Sequence, residues 1–209
     1  MPVDPAASRD LSWYQTAGAN AIQARNTRLE NLQQKLATAP ADAGQNTALA
    51  AQLQQDVSGL QSLQTKLGSE TSADAAHVDY KQIFDSFRVF KVESPKANQI
   101  LADDRLTAEA SKLQQSEARL TAKAGADPTA AESALLGDLK TEITQLTSGA
   151  QAQASAVIGL QPDQGVSAVE QANASALAAG STAVSSLTDL RGAAAADVKQ
   201  LHNLLDQHA

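Results

Sequence analysis

The chain has 209 residues, of which 43% are hydrophobic but only 3% aromatic, and its net charge is −7 with no cysteine. An acidic chain repels phosphate backbones and anionic headgroups, so nucleic acid and a membrane surface are disfavoured as partners. The lack of cysteine excludes disulfides and zinc–thiolate sites. No apolar run reaches the roughly 18 residues that a transmembrane helix needs, so we predict no transmembrane segment.

Two helices are predicted in the first third of the chain. Large apolar residues recur at helical spacing from Ser8 to Ala39, and Pro40 ends this pattern. A second stripe runs from Asn46 to Leu67 and stops at Gly68, a residue type suited to helix C-termini. Residues 1–7 precede the first pattern and are predicted to be disordered.

The third predicted helix starts at Thr71 or Ser72, runs to Phe90 and carries an aromatic stripe. Its four aromatic residues follow one another at intervals of three or four, which places them on one helical face: Tyr80, Phe84, Phe87 and Phe90. Aromatic side chains bury the largest area per residue, so we expect this stripe to be the packing centre of an otherwise small-residue protein.

Three further helices complete the predicted architecture. Ser94 and Pro95 form a cap-and-proline start for a helix to Ala124, and Asp127–Pro128 repeats that signal before a helix to Ile158. The last helix runs from Val166 to Leu205. The fold class predicted from these patterns is all-α: a single domain over residues 1–209, built as an elongated antiparallel bundle of about five helices with short connections.

Charged residues accompany the aromatic stripe. Arg88 lies within it, and Asp103, Asp104 and Arg105 lie on the following helix. If the chain reverses at Glu93–Pro95, Arg88 comes near Asp103 or Asp104, where a bidentate ion pair would lock the reversal. A polar pocket for a ligand or metal is the alternative. These four charged residues and the four aromatic ones form the candidate interaction hub.

Three short runs resemble a signature of uncharacterised secreted, alanine-rich helical proteins of actinobacteria. They are FRVF at 87–90, PK at 95–96 and LADDR at 101–105, against the pattern [YF]-R-V-[YF]…P-K…A-x-D-R. The chain departs from it with Phe for Tyr and with KVES at 91–94, where the other proteins are mostly apolar. The resemblance implies an exported protein, found outside the cell or in the envelope as a mature chain without its signal peptide, and supplies no activity. A cytoplasmic location is the alternative.

The sequence carries none of the common catalytic motifs, and no Glu-x-x-His pair indicates a di-iron site. We therefore predict no catalytic residue, no cofactor and no metal. The expected function is a non-enzymatic interaction or structural module that binds a protein partner or a second copy of itself. A membrane-active helical protein is one alternative. Another is a metal- or ligand-binding protein that uses Arg88, Asp103 and Asp104.

Overall fold

A computed structural model describes residues 9–39, 43–162 and 166–207. Within these ranges the chain forms helices and no strand, which confirms the predicted all-α class. The elements are α1 (Leu11–Ala37), α2 (Ala43–Ser69), α3 (Ala73–Asp85), a π-helical segment (Val89–Glu93), α4 (Ser94–Ala124), α5 (Ala130–Ile158) and α6 (Ser167–Gln207). The disorder predicted for residues 1–7, the cap predicted at Ser8 and the stop at Pro40 lie outside the described residues.

Side-chain caps fix three of the helix starts. The Asp10 carboxylate accepts a hydrogen bond from the Trp13 backbone at 2.8 Å, and Ser72 caps α3 in the same way. For α5 the predicted cap at Asp127–Pro128 is wrong. Thr129 caps this helix instead, and Glu132 accepts a hydrogen bond at 2.7 Å from the Thr129 backbone, which makes a reciprocal capping box.

The aromatic helix is shorter than predicted. It ends at Asp85, and Arg88 adopts the left-handed conformation with φ 41°, which costs a non-glycine residue about 1–2 kcal/mol. The π segment then leads directly into α4, so the cap predicted at Ser94 is also wrong, because Ser94 is itself helical. The break buries Val89 and leaves Phe90 exposed: tertiary packing overrides the local pattern.

The chain groups into two compact units: the described residues 9–38, 43–98, 159–162 and 166–177 belong to the first, and 39, 99–158 and 178–207 to the second. The first unit contains α1, α2, α3, the π segment and the starts of α4 and α6. Gln15 on α1 donates to the Leu67 carbonyl and Gln33 to the Ala50 carbonyl, so α1 and α2 run antiparallel. The core of this unit includes fully buried residues of α1, α2 and α3: Ile22, Leu29, Leu32, Leu49, Leu53, Leu60 and Ile83.

The second unit packs the remainder of α4 and of α6 against α5. Three clusters of Leu, Ile and Ala lie along it: Leu106 and Ala110 with Leu146 and Ala150, Leu139 and Ile143 with Ala194, and Leu120 with Leu201 and Leu205. Residues near the start of α5 pack against residues near the end of α6, and later residues of α5 pack against earlier residues of α6. These two helices are therefore antiparallel. The predicted single domain and elongated shape stay predictions.

Candidate functional site

An aromatic ladder joins α1 to α3 in the first unit. Its members are Trp13 and Tyr14 of α1 and His77, Tyr80 and Phe84 of α3. The ring centroids of Trp13 and Tyr80 are 5.4 Å apart, those of Tyr14 and His77 5.2 Å, and those of Tyr80 and Phe84 5.1 Å. Tyr14 is buried, and Tyr80 and Phe84 are half-buried. Each such pair adds about 0.5–1.5 kcal/mol beyond the burial of its area.

A buried arginine continues the ladder. The guanidinium carbon of Arg25 lies 4.4 Å from the Phe84 ring centroid and 5.2 Å from that of Phe90. Arg25 is only 8% exposed, and this burial lowers its pKa, with the nearby Tyr80 acting in the opposite direction. We call Arg25, Phe84 and Phe90 the arginine stack. No local sequence pattern singles out Arg25, because it occupies a polar stretch of α1.

The predicted aromatic stripe is divided by the chain break. Phe87 packs on α2, where a Cβ added at Gly59 would lie 2.7 Å from its ring. Phe90 is instead 52% exposed. The structure therefore brings Tyr80, Phe84 and Phe90 together around Arg25 and directs Phe87 elsewhere.

Arg88 and Lys91 both contact Glu170 of α6. The Arg88 guanidinium lies 3.5 Å from one carboxylate oxygen, and the Lys91 ammonium lies 2.5 Å from the other. Because Lys91 is exposed and Glu170 is half-buried, these pairs remain in contact with water and contribute about 1 kcal/mol at most. The predicted pairing of Arg88 with Asp103 or Asp104 stays a prediction.

The three charged residues predicted on α4 lie in the second unit. Asp103 and Asp104 are 2% and 4% exposed, whereas Arg105 is exposed. Neither carboxylate oxygen of Asp103 has a hydrogen-bond partner within the described structure. Burial, and then the charge of Asp104, raise the pKa of Asp103 to about 7. Asp103 is therefore protonated in mildly acidic solution, where it becomes a hydrogen-bond donor.

A buried lysine forms the centre of a second polar cluster in the first unit. The Lys96 ammonium, on a side chain 1% exposed, lies 2.7 Å from Glu93 Oε2, 3.1 Å from Gln52 Oε1 and 2.9 Å from the Leu160 carbonyl oxygen. Gln52 and Leu160 accept hydrogen bonds from the ammonium, and Glu93 supplies the compensating charge. Burial, and then Glu93, raise the pKa of the adjacent Asp56 to about 7, while Lys96 opposes the shift. We call Lys96, Glu93, Gln52 and Asp56 the lysine cluster.

Sequence reasoning missed the lysine cluster. Lys96 was noted only as part of the PK run at 95–96, and no burial was predicted for it, because lysine is among the residue types least often buried. Its partners Gln52 and Leu160 lie 44 and 64 positions away along the chain, so no local pattern could join them.

Two open grooves in the second unit lie beside an ion pair between α4 and α6. Arg191 donates to Glu109 at 2.9 Å, and the grooves that both residues line have volumes of about 310 and 200 Å³. Arg105 lines the smaller groove, and Lys112 the larger. The ion pair is exposed, so water reaches both grooves.

Among the described residues, no three side chains of the His, Asp or Glu type come together as ligands for a metal ion. In the same ranges, none of the helices combines the length and the apolar character required to cross a bilayer.

Comparison with known proteins gives no match: no family model, no curated protein and no solved structure is similar to the chain. The resemblance of 87–105 to secreted actinobacterial proteins therefore stays a hypothesis.

Proposed function

We propose that this protein is a non-enzymatic, exported helical-bundle protein that acts outside the cell or in the envelope as an interaction module. Its partner is a protein, and the contact is made by the surface around Phe90. Export is supported by the resemblance of 87–105 to secreted proteins.

The observation that carries the proposal is the position of Phe90. It is the one large aromatic side chain among the strongly exposed apolar residues of the described chain, and it is 52% exposed. Its ring faces the buried Arg25, and the left-handed Arg88 precedes the segment that presents it. Aromatic and arginine residues are the types that dominate binding energy at protein interfaces. A fixed aromatic ring at the surface binds a partner without first losing conformational freedom.

Site-specific photo-crosslinking tests the proposal. A benzophenone amino acid placed at position 90 is activated in intact cells that produce the protein, and covalent adducts are detected by mass. We expect one adduct of defined mass. The matched control is position 78, because Val78 lies in the same unit and is 59% exposed. Equal labelling at both positions, or none at position 90, would contradict the proposal.

Light scattering behind size exclusion identifies the class of partner. A mass constant near 21.7 kDa over a hundredfold concentration range indicates a monomer, so the adduct at position 90 is a different protein. A mass that rises with concentration, and stays constant for Phe90→Ser, identifies a second copy as the partner. Fractionation of the same cells tests export: the protein is expected in the medium or the envelope, and its recovery in the cytoplasm alone would contradict it.

Ligand binding at the buried acids of α4 is a second candidate function. It is favoured by Asp103, whose two oxygens are buried without a hydrogen-bond partner within the described structure. A bound ligand stabilises the folded state in proportion to the logarithm of its concentration. A rise in melting temperature with a divalent cation, absent in Asp103→Asn, is the expected result. An unchanged melting temperature across the common divalent cations would exclude cation binding.

A further inference from the structure

Arg25 is a buried cation whose donors are mostly unused. Its side chain is 8% exposed, and the hydrogen bond that the structure gives it runs from Nη1 to the Ala21 carbonyl of its own helix, at 3.0 Å. Its Nε is buried without a partner. A guanidinium has five N–H donors, all in one plane.

The aromatic rings give this guanidinium cation–π contacts and no oxygen acceptor for its N–H groups. Phe84 and Phe90 lie at 4.4 and 5.2 Å from its central carbon, distances typical of cation–π contacts. Such contacts leave the in-plane N–H groups without acceptors. A buried charge is ordinarily compensated by an opposite charge that also accepts its hydrogen bonds.

The acidic residues of the first unit that form described ion pairs are paired with other cations. Asp79 pairs with Lys66 at 2.6 Å, and Asp85 with Lys81 at 3.3 Å. Glu93 pairs with Lys96 in the lysine cluster, and Glu170 with Arg88 and Lys91. No described ion pair joins a carboxylate to Arg25.

We propose that Arg25 binds a carboxylate supplied by the protein partner, with an apolar side chain of the partner packed on Phe90. The planar fork of arginine matches the two oxygens of a carboxylate, and this geometry gives the strongest pairing available to either group. Phe90 is the exposed ring of the arginine stack, so a partner side chain that packs on it lies next to the guanidinium. This inference rests on the proposed function, since it names the group that the surface around Phe90 recognises.

The ligand is therefore a carboxylate next to an apolar group, as at a peptide C-terminus that ends in phenylalanine. The probe is the peptide acetyl-Gly-Gly-Phe with a free carboxylate, and its control is the same peptide as the C-terminal amide. The readout is the Nε–Hε resonance of Arg25 in the full-length protein, followed by NMR during titration. We expect a saturable shift with the acid and none with the amide. No shift with the acid would overturn the proposal.

A second arm separates a protein segment from a small free acid. Acetate carries the carboxylate without the apolar group, so we expect it to bind at least about tenfold more weakly than the peptide acid, or 1.4 kcal/mol. Equal binding by acetate would overturn the proposal, because Phe90 would then contribute nothing to recognition. In Arg25→Lys we expect binding of the peptide acid to fall by at least about tenfold, since an ammonium cannot form the bidentate pair.

Crosslinking in the Arg25→Gln background separates this inference from the proposed function. Loss of the adduct at position 90, with an unchanged circular dichroism spectrum, supports the carboxylate contact. A retained adduct overturns that contact and leaves the proposed function standing. A peptide-induced shift of Arg25 in a protein that forms no adduct at position 90 supports the carboxylate site and overturns the proposed function.

Discussion

Lys96 and Arg25 are both buried cations of the first unit, but they differ in how far their donors are satisfied. The Lys96 ammonium has three oxygens within 3.1 Å: two accept hydrogen bonds from it, and the third belongs to the Glu93 carboxylate that balances its charge. Arg25 contacts the rings of Phe84 and Phe90 and donates a single hydrogen bond, to a carbonyl of its own helix. The first arrangement compensates the buried charge, whereas the second leaves the buried Nε of Arg25 without a hydrogen-bond partner within the described structure.

Replacing the lysine should strongly destabilise the protein. Lys96→Met leaves Glu93 buried without its cation, so we expect the free energy of unfolding to fall by about 3–5 kcal/mol. Urea denaturation followed by circular dichroism measures it. The control is Lys123→Met, which removes an exposed ion pair with Asp206 and should change stability little. Equal losses in the two variants would show that burial of the lysine cluster is unimportant.

Replacing the arginine should have the opposite effect. Arg25→Met removes a desolvated charge and keeps apolar contact with Phe84, so we expect the free energy of unfolding to rise by about 1 kcal/mol. The same urea titration measures it. A loss as large as that of Lys96→Met would mean that Arg25 holds the fold together and is not kept for binding.

At the scale of the helices, close packing decides where glycine is required. Gly59 of α2 faces the ring of Phe87, whereas Gly137 of α5 has no neighbouring atom within 4 Å of an added Cβ. Alanine at either position improves helix propensity by about 1 kcal/mol. At Gly59 the new methyl group would lie 2.7 Å from the Phe87 ring.

These two glycines make a matched pair of substitutions. We expect Gly137→Ala to raise the free energy of unfolding by about 0.5–1 kcal/mol and Gly59→Ala to lower it, because the Phe87 ring must shift. Thermal melts of the two variants measure both changes. Stabilisation by Gly59→Ala would show that the Phe87 ring moves freely and does not fix the end of α3 against α2.

The predicted and observed elements agree where the local signals are strong. α4 ends at the predicted Ala124, where Gly125 follows in a left-handed conformation, and α3 starts after the predicted Ser72, which caps it. The errors fall where two signals compete. Thr129 and Glu132 outweigh the Asp127–Pro128 signal, because their reciprocal capping box satisfies two backbone N–H groups at once, one from each residue. At Phe90 the burial of Val89 outweighs continuation of the helix.

At the scale of the whole molecule, buried acids make stability depend on pH. Burial raises the pKa of Asp56 in the first unit and of Asp103 in the second to about 7, from 3.8. Between these values the folded protein holds protons that the unfolded chain has released. Each group therefore favours folding fully below pH 3.8 and loses that contribution as pH rises towards 7.

The free energy of unfolding should therefore fall as pH rises from about 5 to 7, by at most about 1.4 kcal/mol per pH unit for each group. The melting temperature should fall with it. Calorimetry at several pH values measures this. Asp56→Asn should weaken the pH dependence that arises in the first structural unit, and Asp103→Asn the pH dependence that arises in the second. A melting temperature that rises across this range in the wild type would contradict the protonated state of both acids.

The amino-acid sequence by itself determined the helical class and most helix limits, because helical periodicity, caps and glycine stops act within a few residues of one another. It also determined which residues carry aromatic rings and charge near 80–105, and so part of the candidate site: Tyr80, Phe84 and Phe90. Only the tertiary structure decided that Arg25 lies among those rings, that Lys96 is buried with Gln52, and that Phe90 faces outward. The physical reason is that burial depends on contacts between distant segments. The sequence on either side of a polar residue is the same whether water or protein surrounds its side chain.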